Sequence, residues 1–448
     1  MTFWTSTRVS QVLGTREPAR GSYARISTDT RRLAPGDLFV ALRGERFDAH
    51  DFLLQAKAAG AAAAVVRRGT PPVPGLPAFE VTDTLAALGL LARARRRLLP
   101  ASAPVVAVTG SSGKTSTKEM IRAALAARWR VHATAGSLNN LVGVPLTILA
   151  APDDTEALVV EAGASLPGEI AALRDIIEPT IAVVTNVGVA HLEGFGTVER
   201  LLQEKASLLD GAPVAVVGNA PALVAEARRR ARRVVVPGRD ELGEVHPDKV
   251  ELDDTGHPVL HWMGAAATLP VLGLHQVDNA MIALAVAREA GVEPKAAVAG
   301  LRGVQLPPGR GGLVPLGSFT IIDDSYNANP DSVVAALETA LGYAATRRRP
   351  LAVVLGSMLE LGAESARLHA FVAGELMSFL PAPAVVAAVG EFVPAFERHR
   401  QALGDRLITA PDAEALGPLL KAALRGNEIV LLKASRGVAL ERVLRYLT

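Results

Sequence analysis

The residues best suited to chemistry form a glycine- and serine-rich loop between an apolar run and a helix-like segment. The loop and the first helical residues are Thr109, Gly110, Ser111, Ser112, Gly113, Lys114, Thr115 and Ser116. Glycines let backbone N–H groups close around phosphates, a helix N-terminus adds positive potential, and the lysine reaches the β- and γ-phosphates. The strict phosphate-loop pattern has glycine where this chain has Val108, so the match is to a variant loop. We expect ATP to bind here.

Two further polar residues follow apolar runs that predict strands. Glu161 comes directly after Leu158–Val160, and His191 follows a few residues after Ile181–Val184. Ligands of open α/β sheets bind outside the carboxyl ends of the strands. Because Mg²⁺ prefers oxygen ligands, Thr115 and Glu161 are predicted to bind it, and His191 to complete a second metal site. A lone histidine is more often a structural residue, but the phosphate loop and Glu161 favour ligation here.

Length and apolar patterning predict an α/β protein of three domains. A chain of 448 residues, 49% of them hydrophobic, is too long for one ordinary core. Residues 1–100 predict a small N-terminal α/β domain. Residues 101–308 alternate strand-like and helical runs, which indicates a mostly parallel central sheet flanked by helices. The Pro- and Gly-rich stretch Leu306–Gly312 ends this region, and residues 309–448 predict a Rossmann-like C-terminal α/β domain.

Composition excludes several classes of function. The chain has no cysteine, which excludes disulfides, thiolate metal sites and thiol nucleophiles. A net charge of +2 without interleaved aromatic residues argues against a nucleic-acid partner, and the clusters Arg93–Arg97 and Arg228–Arg233 are interpreted as solvent-exposed helix faces. No apolar run approaches the length of a membrane span, and the first residues do not resemble a signal peptide. We expect a cytoplasmic monomer.

Two other positions allow a structural or a functional interpretation. Asp323 and Asp324 follow the apolar run Phe319–Ile322 and precede Asn329–Ser332, which a well-capped turn alone would explain. The paired carboxylates favour ligand contact at this strand end. Lys205 lies in an amphipathic helix that begins after Thr197, where it would ordinarily be a solvated surface lysine.

Eight sequence blocks, in one order across the chain, resemble the Mur ligase family. They are Thr109–Thr115, Asn139–Thr147, Glu161–Ala164 with Gly168–Ile170, Thr185–Gly188, His191–Glu193, His275–Ala280, Gly309–Arg310 and Lys433–Arg436. The chain departs from the family pattern at Ser112, Ala162 and Ala434, and at Ala206–Ser207 after Lys205. None of these departures removes a charged ligand.

The resemblance implies roles for individual residues. Lys114, Glu161, His191 and Lys205 would be catalytic, with Thr115, Glu161, His191 and Lys205 at the metal and Lys205 carried as a carbamate. The nucleotide would contact His275, Asn279, Arg310 and Asp324, with Asn279 toward adenine. The substrates would contact Thr30, Arg31, Arg46, His50, Asn139, Asn140, Asn327, Asn329, Ser435 and Arg436.

Within the family, Asp323–Ser332 and Met358–Gly362 resemble the ligases that add D-alanyl-D-alanine to UDP-N-acetylmuramoyl-tripeptide in peptidoglycan precursor synthesis. The resemblance implies a UDP-sugar-binding N-terminal domain, a central ATP-binding domain and a C-terminal domain that closes on the nucleotide and binds the dipeptide. ATP and Mg²⁺ would drive the reaction through an acyl phosphate. Two alternatives stay open: a sister ligase with another amino-acid or folate-like acceptor, and a phosphate-loop switch ATPase whose turnover needs neither substrate.

Overall fold

A computed structural model of the chain describes residues 3–44, 47–190, 192–379 and 383–447. The chain forms two compact units. The first comprises residues 1–107, 130–164 and 169–180, and the second comprises residues 108–129, 165–168 and 181–448. None of the helices in the described ranges is long and apolar enough to cross a membrane.

The first hundred residues form a small α/β fold around a parallel sheet. Its elements are β1 (Trp4–Thr5), α1 (Ser6–Leu13), β2 (Ser22–Tyr23), β3 (Ile26–Ser27), β4 (Leu38–Val40), α2 (Leu53–Ala58), β5 (Ala63–Arg67), β6 (Ala78–Val81) and α3 (Thr84–Arg96). Strands β3 to β6 pair in sequence order and all run parallel, whereas β1 and β2 form a separate antiparallel pair. Alternate residues enter different cores: Leu38 and Val40 pack on one face and Phe39 on the other. Both faces are therefore covered.

The next two hundred residues carry the central sheet and its helices. The elements are β7 (Val105–Thr109), α4 (Lys114–Leu125), β8 (Val131–Ala133), α5 (Gly143–Leu149), β9 (Ala157–Glu161), α6 (Glu169–Ile177), β10 (Ile181–Val184), α7 (Leu192–Phe195), α8 (Val198–Ala206), β11 (Val214–Val217), α9 (Pro221–Arg230), β12 (Arg233–Val235), β13 (Lys249–Leu252), β14 (Pro258–Trp262), β15 (Ala265–Thr268), α10 (His275–Glu289) and α11 (Pro294–Leu301).

The sheet order is β12-β11-β10-β7-β9-β8, and the pairs β8–β9, β10–β11 and β11–β12 run parallel. Every residue of β7, β9 and β10 is buried, as expected for strands with helices on both faces. The predicted α/β fold with a mostly parallel central sheet is confirmed. Strands β13 to β15 form an additional antiparallel sheet that the sequence did not predict.

The last third of the chain forms a second six-stranded sheet. Its elements are β16 (Gly312–Leu316), β17 (Phe319–Asp324), α12 (Pro330–Arg347), β18 (Leu351–Leu355), α13 (Ser365–Ser378), β19 (Pro383–Val389), α14 (Phe392–Glu397), α15 (Arg400–Leu403), β20 (Leu407–Ala410), α16 (Ala413–Ala423), β21 (Ile429–Lys433) and α17 (Leu444–Leu447). The order is β16-β17-β21-β18-β19-β20, with only the β16–β17 hairpin antiparallel. Val353 and Leu355 pack on one face and Ala352 and Val354 on the other.

The first arginine cluster is not simply a solvated helix face. On α3, Arg93 Nε lies 2.8 Å from Glu178 Oε1, and Arg96 donates to the carbonyl oxygens of Ile177 and Glu178. Burial lowers the pKa of Arg96 from its ordinary value, while two arginine partners, Arg97 foremost, lower the pKa of Glu178 to about 2. These arginines fasten α3 to the end of α6 within the first unit.

Candidate active site

The phosphate loop has the predicted strand–loop–helix geometry in the second unit. Strand β7 leads into Gly110–Gly113, and α4 begins at Lys114. Gly113 precedes the helix with φ 74°, a left-handed conformation that favours glycine. A Cβ at Gly113 would lie 2.7 Å from Oδ1 of Asn279, and one at Gly110 would collide with the side chain of Thr185. Only glycine therefore permits these close approaches.

The segment after β10 holds this loop in place. Ser111 N–H donates to the Asn186 carbonyl at 3.0 Å, and Ser112 N–H donates to Asn186 Oδ1 at 3.0 Å. Thr185 Oγ1 donates to the Ser112 carbonyl at 2.7 Å. From the sequence, Thr185–Gly188 was identified only as a block shared with the family. In the structure, Thr185 and Asn186 hold the backbone of the phosphate loop.

Lys205 is buried, so its interpretation as an ordinary surface lysine is wrong. Helix α8 begins after the predicted N-cap Thr197, and its buried face carries Leu201, Glu204 and Lys205 at helical spacing. Lys205 is only 1% exposed. Burial and the nearby charge of Lys114 lower its pKa to about 7, against the opposing charge of Glu204. The two amino groups are thus close enough to repel each other, an arrangement that fits an anionic ligand.

The loop also has chemistry that fits a phosphate group. Lys114 Nζ lies 2.8 Å from the Gly110 carbonyl, so the lysine reaches back over the loop that precedes it. Thr115 is buried at the start of α4. The buried Oγ1 of Thr109 has no hydrogen-bond partner within the part of the chain that the structure describes. These residues fit ATP phosphates, and their individual phosphate contacts stay predictions.

Glu161 is held in the first unit by an asparagine. It ends β9, is 1% exposed, and its Oε1 accepts a 2.8 Å hydrogen bond from Asn139 Nδ2. Its backbone N–H donates to Thr134 Oγ1 at 2.9 Å. Asn140 instead lies just before α5, where its Oδ1 accepts from the N–H groups of Val142 and Gly143. A buried carboxylate oriented by an amide fits a hard cation such as Mg²⁺.

His191, the remaining predicted metal ligand, lies outside the described residues. Within the described ranges no three His, Asp or Glu side chains come together as a metal-binding group. The metal roles of Thr115, Glu161, His191 and Lys205 therefore stay predictions.

Helix α10 places two predicted nucleotide residues. Asn279 is buried, accepts from Thr117 Oγ1 at 3.0 Å, and donates to Gln276 Oε1 at 2.9 Å. Its side chain therefore braces the phosphate loop near Gly113, and the adenine contact stays a prediction. Burial, with the charges of Lys433 and Arg239, lowers the pKa of His275 to about 4, so its imidazole is neutral at pH 7.

A second polar cluster lies at the carboxyl ends of β17 and β21. Asp324 and Lys433 are register partners, with Lys433 Nζ 2.6 Å from Asp324 Oδ2 and 2.8 Å from the Asn327 carbonyl. Burial raises the pKa of Asp324, while the charges of Lys433 and Arg310 oppose this shift. Lys433 is 3% exposed and was not among the predicted site residues, although it opens the family block Lys433–Arg436.

An aromatic ring joins the two predicted arginines of this region. The Arg310 guanidinium carbon lies 4.0 Å from the Tyr326 ring centre, and that of Arg436 lies 5.8 Å from it. Cations are attracted to aromatic faces at these distances. Tyr326 was also missed, since one aromatic residue in a polar turn carries no distinctive pattern.

The remaining predicted residues have local partners. Ser435 Oγ accepts from the Leu359 N–H at 2.9 Å. Asn329 caps α12 through a reciprocal pair of bonds with Ser332, so the capped-turn interpretation accounts for its side chain. Asn327 is exposed, and its Oδ1 accepts from the Ala328 N–H at 2.9 Å. Their substrate contacts stay predictions.

The N-terminal residues predicted to bind substrate are likewise tied to neighbours. Thr30 and Arg31 lie in a short 3₁₀ helix, and the exposed Arg31 pairs with Asp29 at 2.8 Å. His50 binds Asp48 through Nδ1 and accepts from the Arg67 N–H through Nε2 at 2.9 Å. Arg46 lies outside the described residues.

Comparisons with known proteins cover most of the chain. The family model described as Mur ligase family, catalytic domain, matches residues 22–96; the Mur ligase middle domain matches residues 108–287; and the Mur ligase glutamate ligase domain matches residues 309–436.

A curated relative from Bacillus subtilis (strain 168), named UDP-N-acetylmuramoyl-tripeptide--D-alanyl-D-alanine ligase, is 34% identical over 440 residues, covering 94% of this chain and 92% of the relative. A crystal structure of MurF from Acinetobacter baumannii aligns with TM-score 0.88 and 31% identity over 99% of this chain and 98% of that one. MurF ligase from Thermotoga maritima in complex with ADP aligns with TM-score 0.81 and 31% identity over 94% of this chain and 96% of that one. The chain therefore belongs to the Mur ligase family, in the branch of the D-alanyl-D-alanine ligases.

Proposed function

We propose that this chain is the ATP-dependent ligase that joins D-alanyl-D-alanine to UDP-N-acetylmuramoyl-tripeptide, giving UDP-N-acetylmuramoyl-pentapeptide, ADP and phosphate. The observation that carries this proposal is the full-length similarity to relatives named for that reaction, 34% identical over 94% of this chain. The phosphate loop before α4 supports the use of ATP. A switch ATPase does not account for the similarity along all three matched regions. A sister ligase does not account for the identity to relatives named for this reaction.

The proposed reaction has two chemical steps. A carboxylate oxygen of the tripeptide attacks the γ-phosphorus of ATP, and ADP leaves as the acyl phosphate forms. The amine of the dipeptide then attacks the acyl carbon, the C–O bond to phosphate breaks, and a proton leaves the nitrogen. Positioning and charge neutralisation provide most of the catalysis in such phosphoryl transfers.

The chain's own residues supply that positioning. Backbone N–H groups of the phosphate loop and Lys114 hold the phosphates, and the neutral His275 and the Asp324–Lys433 pair border the nucleotide. Arg310 and Arg436, stacked with Tyr326, present positive charge from the C-terminal region. Thr115, Glu161, His191 and Lys205 would hold Mg²⁺, which when bound neutralises charge on the transferring phosphoryl group.

Lys205 is proposed to act as a carbamate. A pKa of about 7 leaves much of the amine neutral at physiological pH, and the neutral amine is the form that attacks CO₂. The N–C bond forms, a proton is released, and the product is an anionic oxygen ligand. This change would turn the repulsion between Lys114 and Lys205 into attraction.

The three matched regions support domain boundaries at residues 1–100, 101–308 and 309–448. We assign UDP-sugar binding to the first domain, ATP binding to the second, and closure on the nucleotide with dipeptide binding to the third. No helix in the described ranges could span a membrane.

Phosphate release from ATP and Mg²⁺ tests the proposed function. It is measured with no addition, with UDP-muramoyl-tripeptide alone, with D-alanyl-D-alanine alone, and with both. Release that needs both, and that falls about a hundredfold or more in Lys114→Ala, supports the ligase. Lys249→Ala, on the exposed part of β13, is the matched control. Release indifferent to both substrates would instead favour a switch ATPase.

A further inference from the structure

One segment after β10 contacts both the phosphate loop and the C-terminal third of the chain. This docking segment comprises residues 188–190 with Leu192 and Glu193. Ser111 Oγ donates to the Gly188 carbonyl and accepts from the Gly188 N–H, each at 3.0 Å. The first residue of the segment is thus fixed to the loop predicted to hold ATP.

The docking segment also contacts residues beyond 309. Val189 and Leu192 pack against the core cluster beneath α12 and α13. The Glu193 N–H donates to the Glu360 carbonyl at 3.1 Å, and a Cβ at Gly362 would lie 3.5 Å from Glu193 Cα. Apolar packing and a backbone hydrogen bond therefore join this segment to the C-terminal third.

Asp331 completes this junction. It is the second residue of α12. Burial raises the pKa of its carboxyl, and a hydrogen bond from the backbone N–H of Val189 opposes this shift. Gly188 makes the contact possible, because a Cβ there would collide with Asp331 Oδ2. The α12 cap is supplied separately by Asn329 and Ser332, so the Asp331 side chain is not needed for it.

We propose that Asp331 is a positioning residue that pins the docking segment, and through Ser111 the phosphate loop, to the C-terminal third of the chain. Its consequence for ligation rests on the proposed function, since the same loop holds the ATP that activates the tripeptide. Losing the pin leaves each substrate-binding surface intact but lowers the fraction of time in which the C-terminal residues are seated on the loop.

The primary test is amide hydrogen exchange of peptides covering residues 187–193 in the full chain. Asp331→Ala is expected to speed exchange about threefold to tenfold, the range for one hydrogen bond to a partly exposed carboxylate. Asp331→Asn keeps an acceptor oxygen and should exchange like the wild type, although it lacks the charge that favours a helix N-terminus. Asp412→Ala, which removes the aspartate cap of α16, is the matched control and should leave these peptides unchanged.

The kcat of variants at Gly188 and Asp331 provides a second test, because it depends on how closely these two residues approach. Gly188→Ala should lower kcat because its Cβ meets Asp331, and Gly188→Ala combined with Asp331→Ala should recover activity to the level of Asp331→Ala alone. Asp331→Ala should lower kcat about threefold to tenfold with an unchanged KM for the UDP-linked substrate.

If amide exchange of residues 187–193 in Asp331→Ala kept the wild-type rate, the proposed positioning role of Asp331 would be wrong, whatever the activity of the variant. A wild-type enzyme without two-substrate turnover would overturn the proposed function and leave the exchange result standing. An equal loss in Asp331→Asn and Asp331→Ala would assign Asp331 to helix stability instead.

Discussion

Asn139 is the residue whose removal should separate metal-site orientation from substrate binding. Its Nδ2 donates to Glu161 Oε1 at 2.8 Å, and Glu161 is 1% exposed. A hydrogen bond to a charged group contributes about 1.5–3 kcal/mol, and every 1.4 kcal/mol is a factor of ten. Asn139→Ala should therefore lower kcat/KM between about tenfold and a hundredfold, because the carboxylate loses the partner that orients it.

The assay is two-substrate phosphate release measured over a range of Mg²⁺ concentrations. Asn139→Ala should need more Mg²⁺ for half-maximal activity and keep a nearly unchanged KM for UDP-muramoyl-tripeptide. Asn140→Ala is the matched control: it removes the acceptor of the Val142 and Gly143 N–H groups, should lower stability by about 1 kcal/mol, and should not change the Mg²⁺ dependence.

Full activity of Asn139→Ala at low Mg²⁺ would show that Asn139 does not orient the metal site. A raised KM for the UDP-linked substrate with an unchanged Mg²⁺ dependence would instead assign Asn139 to direct substrate contact, the role predicted from the sequence.

Three further substitutions test other parts of the account. The folded-state pKa of Lys205, about 7, lies below its ordinary 10.5, so the unfolded chain binds the extra proton between these pH values and stability rises with pH there. In bicarbonate-free buffer, Lys205→Met should therefore be more stable than the wild type at pH 7, with the difference vanishing near pH 10.5 in urea unfolding. Lys433→Met leaves the Asp324 carboxyl without its cation and should cost about 3–5 kcal/mol in urea unfolding, much of it recovered by adding Asp324→Asn. Gly113→Ala should weaken ATP binding about tenfold or more by calorimetry, whereas Gly136→Ala, with φ 58° but open space around its Cβ, should not.

The sequence predicted the parts of the fold that depend on local pattern. Strand β10 has the predicted limits, because a strand buried on both faces is a continuous apolar run. The helix cap at Thr197 and the phosphate loop before α4 were also predicted, because each depends on only a few adjacent residues. The small sheet β13–β15 was missed, since alternation over only four or five residues does not distinguish such short strands from loops.

Pairings between distant residues could not be read from the sequence. Lys205 follows Leu201 at helical spacing, but nothing in the sequence of α8 indicates that the charge of Lys114 lies near Lys205. Asn139 and Glu161 are separated by a helix and a strand, and their contact depends on how the chain folds back. The contact of Asp331 with Val189 likewise joins residues from different family-matched regions.

In the proposed reaction, the tripeptide carboxylate is activated by ATP and then joined to the dipeptide. The most direct test supplies UDP-muramoyl-tripeptide labelled with ¹⁸O in its terminal carboxylate, together with D-alanyl-D-alanine, ATP and Mg²⁺, and analyses the products by mass spectrometry. The account predicts UDP-muramoyl-pentapeptide and one ¹⁸O atom in each inorganic phosphate released. Phosphate without ¹⁸O beside the pentapeptide would contradict the acyl phosphate, and phosphate release without the pentapeptide would contradict the ligase.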